Sequence, residues 1–224
     1  MDTSAAKSKI FDSIRQSLKA SEPFDVVRAE HRHKSDFGEI KPFVAENCAE
    51  TFCENLLLIG GKCKIVSDLD NVKSEVEKIL KENNAQTIAI SDAESVIKLA
   101  TTISANFIQN ASVQELFACN IGITSAQFGI AETGTLVIDS DKEFNRLASL
   151  IPPIHICILE ASKICHNLGE VLGALEKDLS KSITFITGQS RTSDIELTLA
   201  LGVHGPKELF LLYSTIITNN SFGP

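Results

Sequence analysis

From residue 43 onward, short runs rich in β-branched and aliphatic residues alternate with stretches of helical periodicity. The runs are CKIVS (63–67), TIAIS (87–91), IGIT (121–124), IHICIL (154–159), SITFIT (182–187) and ELFLLYS (208–214). Parallel strands need long crossovers, and helices supply them, so this alternation predicts an α/β fold with a mainly parallel sheet flanked by helices. Two further runs, AQFGIA (126–131) and TLVID (135–139), lie on either side of Thr133–Gly134 and predict a hairpin-like insertion.

The helices between the runs follow from spacing. Cys48, Phe52, Leu56 and Leu57 share one face ahead of a Gly60–Gly61 turn, residues 69–83 form the next amphipathic stretch, and SVIKLATTI (95–103) the one after. Residues 4–20 place Ile10, Phe11, Ile14 and Leu18 on one stripe, followed by a polar, aperiodic segment. Three regions result: a helical arm and linker (1–42), a main domain (43–216) and a tail (217–224). A lone amphipathic helix cannot bury its stripe by itself, so the arm docks on the main domain or on a second subunit, and homo-oligomerisation stays open.

Charge narrows the function classes. Twenty-one basic against 29 acidic side chains give a formal charge of −8 over 224 residues. Such a field repels nucleic acid and anionic membrane surfaces. The polar amino-terminal stretch has no signal-peptide core, and no apolar run approaches the ~18 residues of a membrane span, so the expected compartment is the cytoplasm. Six cysteines, none in a C-x-x-C pair, read as free thiols and not as a metal cluster. His31 and His33 read as solvated linker residues, and no cofactor is expected in this chain.

The stretch GQSRTSDIE (188–196) holds the densest candidate chemistry. Ser193 and Glu196 have capping-box spacing, which predicts a helix from about Asp194 to Leu201 closed by Gly202. Ser190, Arg191 and Thr192 follow a strand's carboxyl end, where α/β sheets place ligand crevices. A fixed cation beside a helix start suits a carboxylate or phosphate. The alternative is an ion pair of Arg191 with Asp194, Glu196 or another carboxylate, and spacing leaves both open.

Glu132 is a candidate general base or nucleophile, with a hydrogen-bonded brace as its alternative, and Gly134 supplies the turn. Arg146, ahead of Pro152–Pro153, either complements Glu132, binds an anion or is solvated. His155 reads as a core residue of its strand, whereas His204, beside Gly205, is the better acid–base candidate. No G-x-G-x-x-G, Walker loop or G-x-S-x-G is present, so dinucleotide, ATP and serine-hydrolase readings lack local support.

Taken together and in order, GITSAQFGIAETGTLV, NRLASLIPPIHI and TGQSRTSDIELTLALGVHGP resemble the lactate utilisation protein C family, built on the LUD domain, over residues 43–214. The resemblance implies a fold similar to the ribose-phosphate isomerase, glucosamine-phosphate deaminase and CoA transferase superfamily. It also implies a component of bacterial L-lactate oxidation that works with partner proteins carrying the iron–sulfur clusters. The family's motif positions mark Glu132, Thr133, Gly134, Arg146, Ser190, Arg191, Thr192, Asp194, His204 and Gly205 as a candidate pocket for a small organic anion. The competing expectation is an independent CoA transferase-like or sugar-phosphate isomerase-like enzyme that uses Glu132.

Overall fold

The structure is a computed structural model that describes residues 3–20, 42–143, 145–176, 180–192 and 200–214. Its contacts divide the chain into two units, 1–41 and 42–224. The first contains helix α1 (Thr3–Ala20), on which Ile10, Phe11 and Ile14 are exposed.

The second unit opens with α2 (Cys48–Leu58), β1 (Lys62–Val66), α3 (Leu69–Glu82), β2 (Ile88–Ile90), α4 (Glu94–Thr102), β3 (Phe107–Gln109) and α5 (Val113–Ala118). There follow β4 (Ile121–Ser125), β5 (Phe128–Ile130), β6 (Thr135–Asp139), a 3₁₀ turn (Arg146–Ser149), β7 (Ile154–Glu160) and a second 3₁₀ turn (Ala161–Lys163). The remainder is β8 (Ile164–Cys165), α6 (Leu168–Leu175), β9 (Ile183–Ile186), β10 (Arg191–Thr192), β11 (Ala200–Leu201) and β12 (Glu208–Ser214).

Six strands build one sheet in the order β1-β12-β7-β4-β2-β3, and every pairing in it is parallel. Its central strands β2, β4 and β7 read as near-continuous apolar runs because both faces are covered there. Ile121, Ile123, Ile154, Ile156 and Leu212 pack with Val76 and Ile79 of α3 and Val96 and Leu99 of α4. On the opposite face Cys157, Leu159, Leu209, Leu211 and Tyr213 pack with Phe52 and Leu56 of α2. Each such side chain withdrawn from water contributes about 1.5–3 kcal/mol. α5 and the first 3₁₀ turn also cover this sheet, with Leu116 and Ala148 packed together with Ala89 of β2. That turn lies so close to β4 that a Cβ on Gly122 would collide with the Ala148 carbonyl, so glycine is required there.

The expected hairpin is β5–β6, and it grows into a second, four-stranded sheet, β8-β5-β6-β9. Three expectations need correction. SITFIT becomes β9 of this second sheet, so the GQSRT stretch does not leave the carboxyl edge of the parallel sheet. Residues 200–201 are not the end of a helix: Leu201 and Ala200 pair antiparallel with Arg191 and Thr192. The capping pair Ser193 and Glu196 lies outside the described residues. Finally, Cys53 and Cys63 form a disulfide, because the Gly60–Gly61 turn folds β1 back along α2 and brings their Cα atoms to 5.7 Å. Cys48, Cys119, Cys157 and Cys165 are free.

Candidate functional site

The described motif residues are spread over several places in the domain. Ser190, His204 and Gly205 line a cleft of about 200 Å³ near the amino ends of β7 and β12, together with Ser149, His155 and Thr187. Ser190 is pinned there by its backbone: its amide donates to the Pro206 carbonyl at 2.9 Å, and its carbonyl accepts from the Gly202 amide at 2.9 Å. His204 is exposed at the rim.

Glu132 and Thr133 are exposed on the β5–β6 turn. The Glu132 amide donates to the His166 carbonyl at 3.0 Å, and its carbonyl accepts from the Asn55 side chain at 3.2 Å, so its backbone serves as a brace. A hydroxyl chain runs inward from it, Thr133 to Thr135 at 2.6 Å and Thr135 to Thr187 at 2.8 Å, and ends in the cleft wall.

Both arginines have neighbours on the body of the domain. Arg146 donates to the Ser182 hydroxyl, and exposed Arg191 donates to the Ile59 carbonyl over the Gly60 turn. Arg191 thus caps a carbonyl at the end of α2, and Thr192 continues into the β10–β11 pair. Asp194, His31 and His33 lie outside the described residues.

The larger cavity is elsewhere. Connections leave β2 outward to β3 and leave β4 the other way to β7, so these neighbouring strands form a topological switch point. Open parallel sheets bind ligands outside the carboxyl ends of such strands, where diverging connections leave a crevice. A crevice of about 500 Å³ opens at this edge, lined by residues 93–95, Ser125, Gln127, Asp139, Lys142, Glu160 and Lys163 among others. The start of α4 faces it: no side chain among the described residues caps the Ala93 end of that helix, which leaves backbone donors toward the cavity. Of the carboxylates around the crevice, Glu94 is paired with Lys98 at 2.6 Å, Asp139 accepts from the Asp141 amide at 2.8 Å, and Glu160 accepts from the Ser162 hydroxyl at 3.4 Å.

Under this wall sits Glu143, fully buried. Its Oε1 accepts from the Ser125 hydroxyl, from the Ser125 amide at 3.2 Å and from Gln127 Nε2 at 3.4 Å. Gln127 is oriented in turn, because its Oε1 accepts from the Asp139 amide at 2.7 Å. Burial pushes the Glu143 carboxyl above its ordinary range, against the opposing pull of Ser125, Ser91 and Gln127. No hydrogen bond of acceptable geometry joins Ser91 to it: Ser91 Oγ and Glu143 Oε2 are both buried without a partner among the described residues. Buried polar atoms are nearly always paired, so these two, behind the larger of the two crevices, single out this wall as a candidate site.

At the other edge, His155 is completely buried, and desolvation pulls it down to about 3, which keeps it neutral. Its Nε2 bonds Thr124 Oγ1 at 2.9 Å, and Nδ1 has no partner among the described residues. The sequence reading of a core histidine is half met: the residue belongs to the core, but only one of its nitrogens is satisfied.

An open parallel sheet with a switch-point crevice defines the structural class. Within that class the family model for the LUD domain matches residues 49–212, and the chain belongs to the LUD domain family. An uncharacterized protein of Neisseria meningitidis is 44% identical over 94 residues, 41% of this chain and 40% of its own length. Lactate utilization protein C of Bacillus subtilis is 33% identical over 110 residues, 46% of each chain. These two alignments span less than half of either relative. Lactate utilization protein C of Macrococcus caseolyticus is aligned over 89% of this chain and 92% of its own, at 27% identity. A crystal structure of a DUF162 family protein from Deinococcus radiodurans superposes with a TM-score of 0.60 over 77% of this chain and 99% of its own, and at 21% identity the likeness establishes the fold.

Proposed function

We propose that the protein is a component of bacterial L-lactate utilisation and that it binds a small organic acid in the switch-point crevice. The names of its relatives support the pathway. The observation that carries the ligand class is the crevice itself. Lys163 and the start of α4 offer positive charge and donors for a carboxylate, while Ser125 and Gln127 offer polar atoms for a neighbouring oxygen. Oxidation of lactate to pyruvate removes two electrons, which side chains do not store, and the proposal assigns them to iron–sulfur partner proteins.

Thermal unfolding of the full chain with L-lactate tests this reading, because a ligand bound by the native state raises stability. The expected result is a concentration-dependent rise in Tm that Lys163→Glu diminishes and Arg191→Ala does not. A rise abolished only by Arg191→Ala would move the site to the α2 end, and no rise with L-lactate or pyruvate would contradict organic-acid binding. Glu132→Gln, on the exposed turn outside the crevice wall, leaves the rise unchanged.

A further inference from the structure

Resting on the reading that the crevice takes an organic acid, we propose that it selects a 2-hydroxy acid over the corresponding 2-oxo acid through Ser125, whose only hydroxyl proton is already committed. That proton goes to Glu143 Oε1. A serine hydroxyl has one donor and two acceptor positions, so what remains at Ser125 Oγ is acceptor capacity alone. Gln127 Nε2 fills one of these positions at 3.5 Å, and its amide cannot turn around, since its oxygen is held by the Asp139 backbone at 2.7 Å.

One lone pair of Ser125 is left in the crevice wall. The Ser125 amide is spent too, on Glu143 at 3.2 Å. A ligand oxygen placed against Ser125 must therefore donate. The hydroxyl of a 2-hydroxy acid does so, whereas the carbonyl of a 2-oxo acid has no proton and sets lone pair against lone pair. Glu143 is a positioning residue, buried and acting through Ser125.

A site built to pair a substrate hydroxyl penalises the analogue that lacks it, and for one half-exposed bond the preference is roughly ten- to a hundredfold in affinity. Isothermal titration of the full chain with L-lactate and with pyruvate measures it. The wild type is expected to bind L-lactate more tightly by about that factor. Ser125→Ala brings the ratio near one and Ser125→Thr, which keeps the hydroxyl, preserves it. Glu143→Met frees the Ser125 proton and shifts the ratio toward pyruvate, a change that a merely structural role would not produce. Equal affinities in the wild type, or a ratio unmoved by Ser125→Ala, overturn the selectivity while leaving organic-acid binding intact. Absence of heat with both acids overturns organic-acid binding and the selectivity with it.

Discussion

His155 shows how much one buried ring can couple folding to pH. Its value in the fold lies near 3, against an ordinary value of about 6.5 for an unfolded chain. Between those limits the unfolded state binds the proton and the native state does not. The contribution is therefore fully present above about pH 6.5 and is lost as pH falls toward 3, by up to about 1.4 kcal/mol per unit. Urea denaturation at pH 7 and pH 5 should show the wild type losing more stability than His155→Gln across that interval; parallel losses would contradict the burial of a neutral ring. The sequence placed His155 in an apolar strand and so made its burial legible. Glu143 carried no comparable signal, since EFNR reads as a polar connection, and its burial comes from the chain folding back beneath Ser125. Ser125 and Gln127 lie inside a stretch that carried the family resemblance, yet nothing local distinguishes a crevice-lining serine from any other strand-end serine.

At the level of elements, the strands and helices with strong periodicity were legible: the α2, α3 and α4 segments and the strands of the parallel sheet follow their apolar spacing. Short elements escaped. α5 starts with a capping box in which the Ser112 amide donates to Glu115 at 2.8 Å and the Glu115 amide donates back to Ser112 at 3.3 Å. It has the same S-x-x-E spacing as Ser193 and Glu196. The hairpin turn was readable from Thr133–Gly134, but its reason for glycine is tertiary. Gly134 has a φ of +63°, and a Cβ there would collide with the Leu56 backbone nitrogen of α2. Gly134→Ala should cost about 2–4 kcal/mol, combining backbone strain with displacement of the α2 end. A shift in the urea midpoint equivalent to less than about 0.5 kcal/mol would show that the hairpin does not rest on α2 as described.

For the whole molecule, fold class was the most legible property, because a parallel sheet covered on both faces leaves a chain-long signature of apolar runs. The location of the site was not. A switch point depends on strand order, and order is a global property that no local pattern holds. Residues 91, 125 and 143 are far apart in sequence and come together because β2 and β4 lie side by side. Assigning SITFIT to the parallel sheet put the expected crevice at its end, and the second sheet removes that premise. Likewise, cysteine spacing carries no trace of the Cys53–Cys63 contact, which a tight turn between α2 and β1 creates.

The most direct test of the account is an amide chemical-shift titration of the ¹⁵N-labelled full chain with L-lactate. Saturable shifts are expected to concentrate in residues 91–95, 125–128 and 139–143, around the crevice at the carboxyl ends of β2 and β4. Shifts confined to residues 187–191 and 204–206, or none at concentrations that saturate small-acid sites, would contradict the crevice as the site of function.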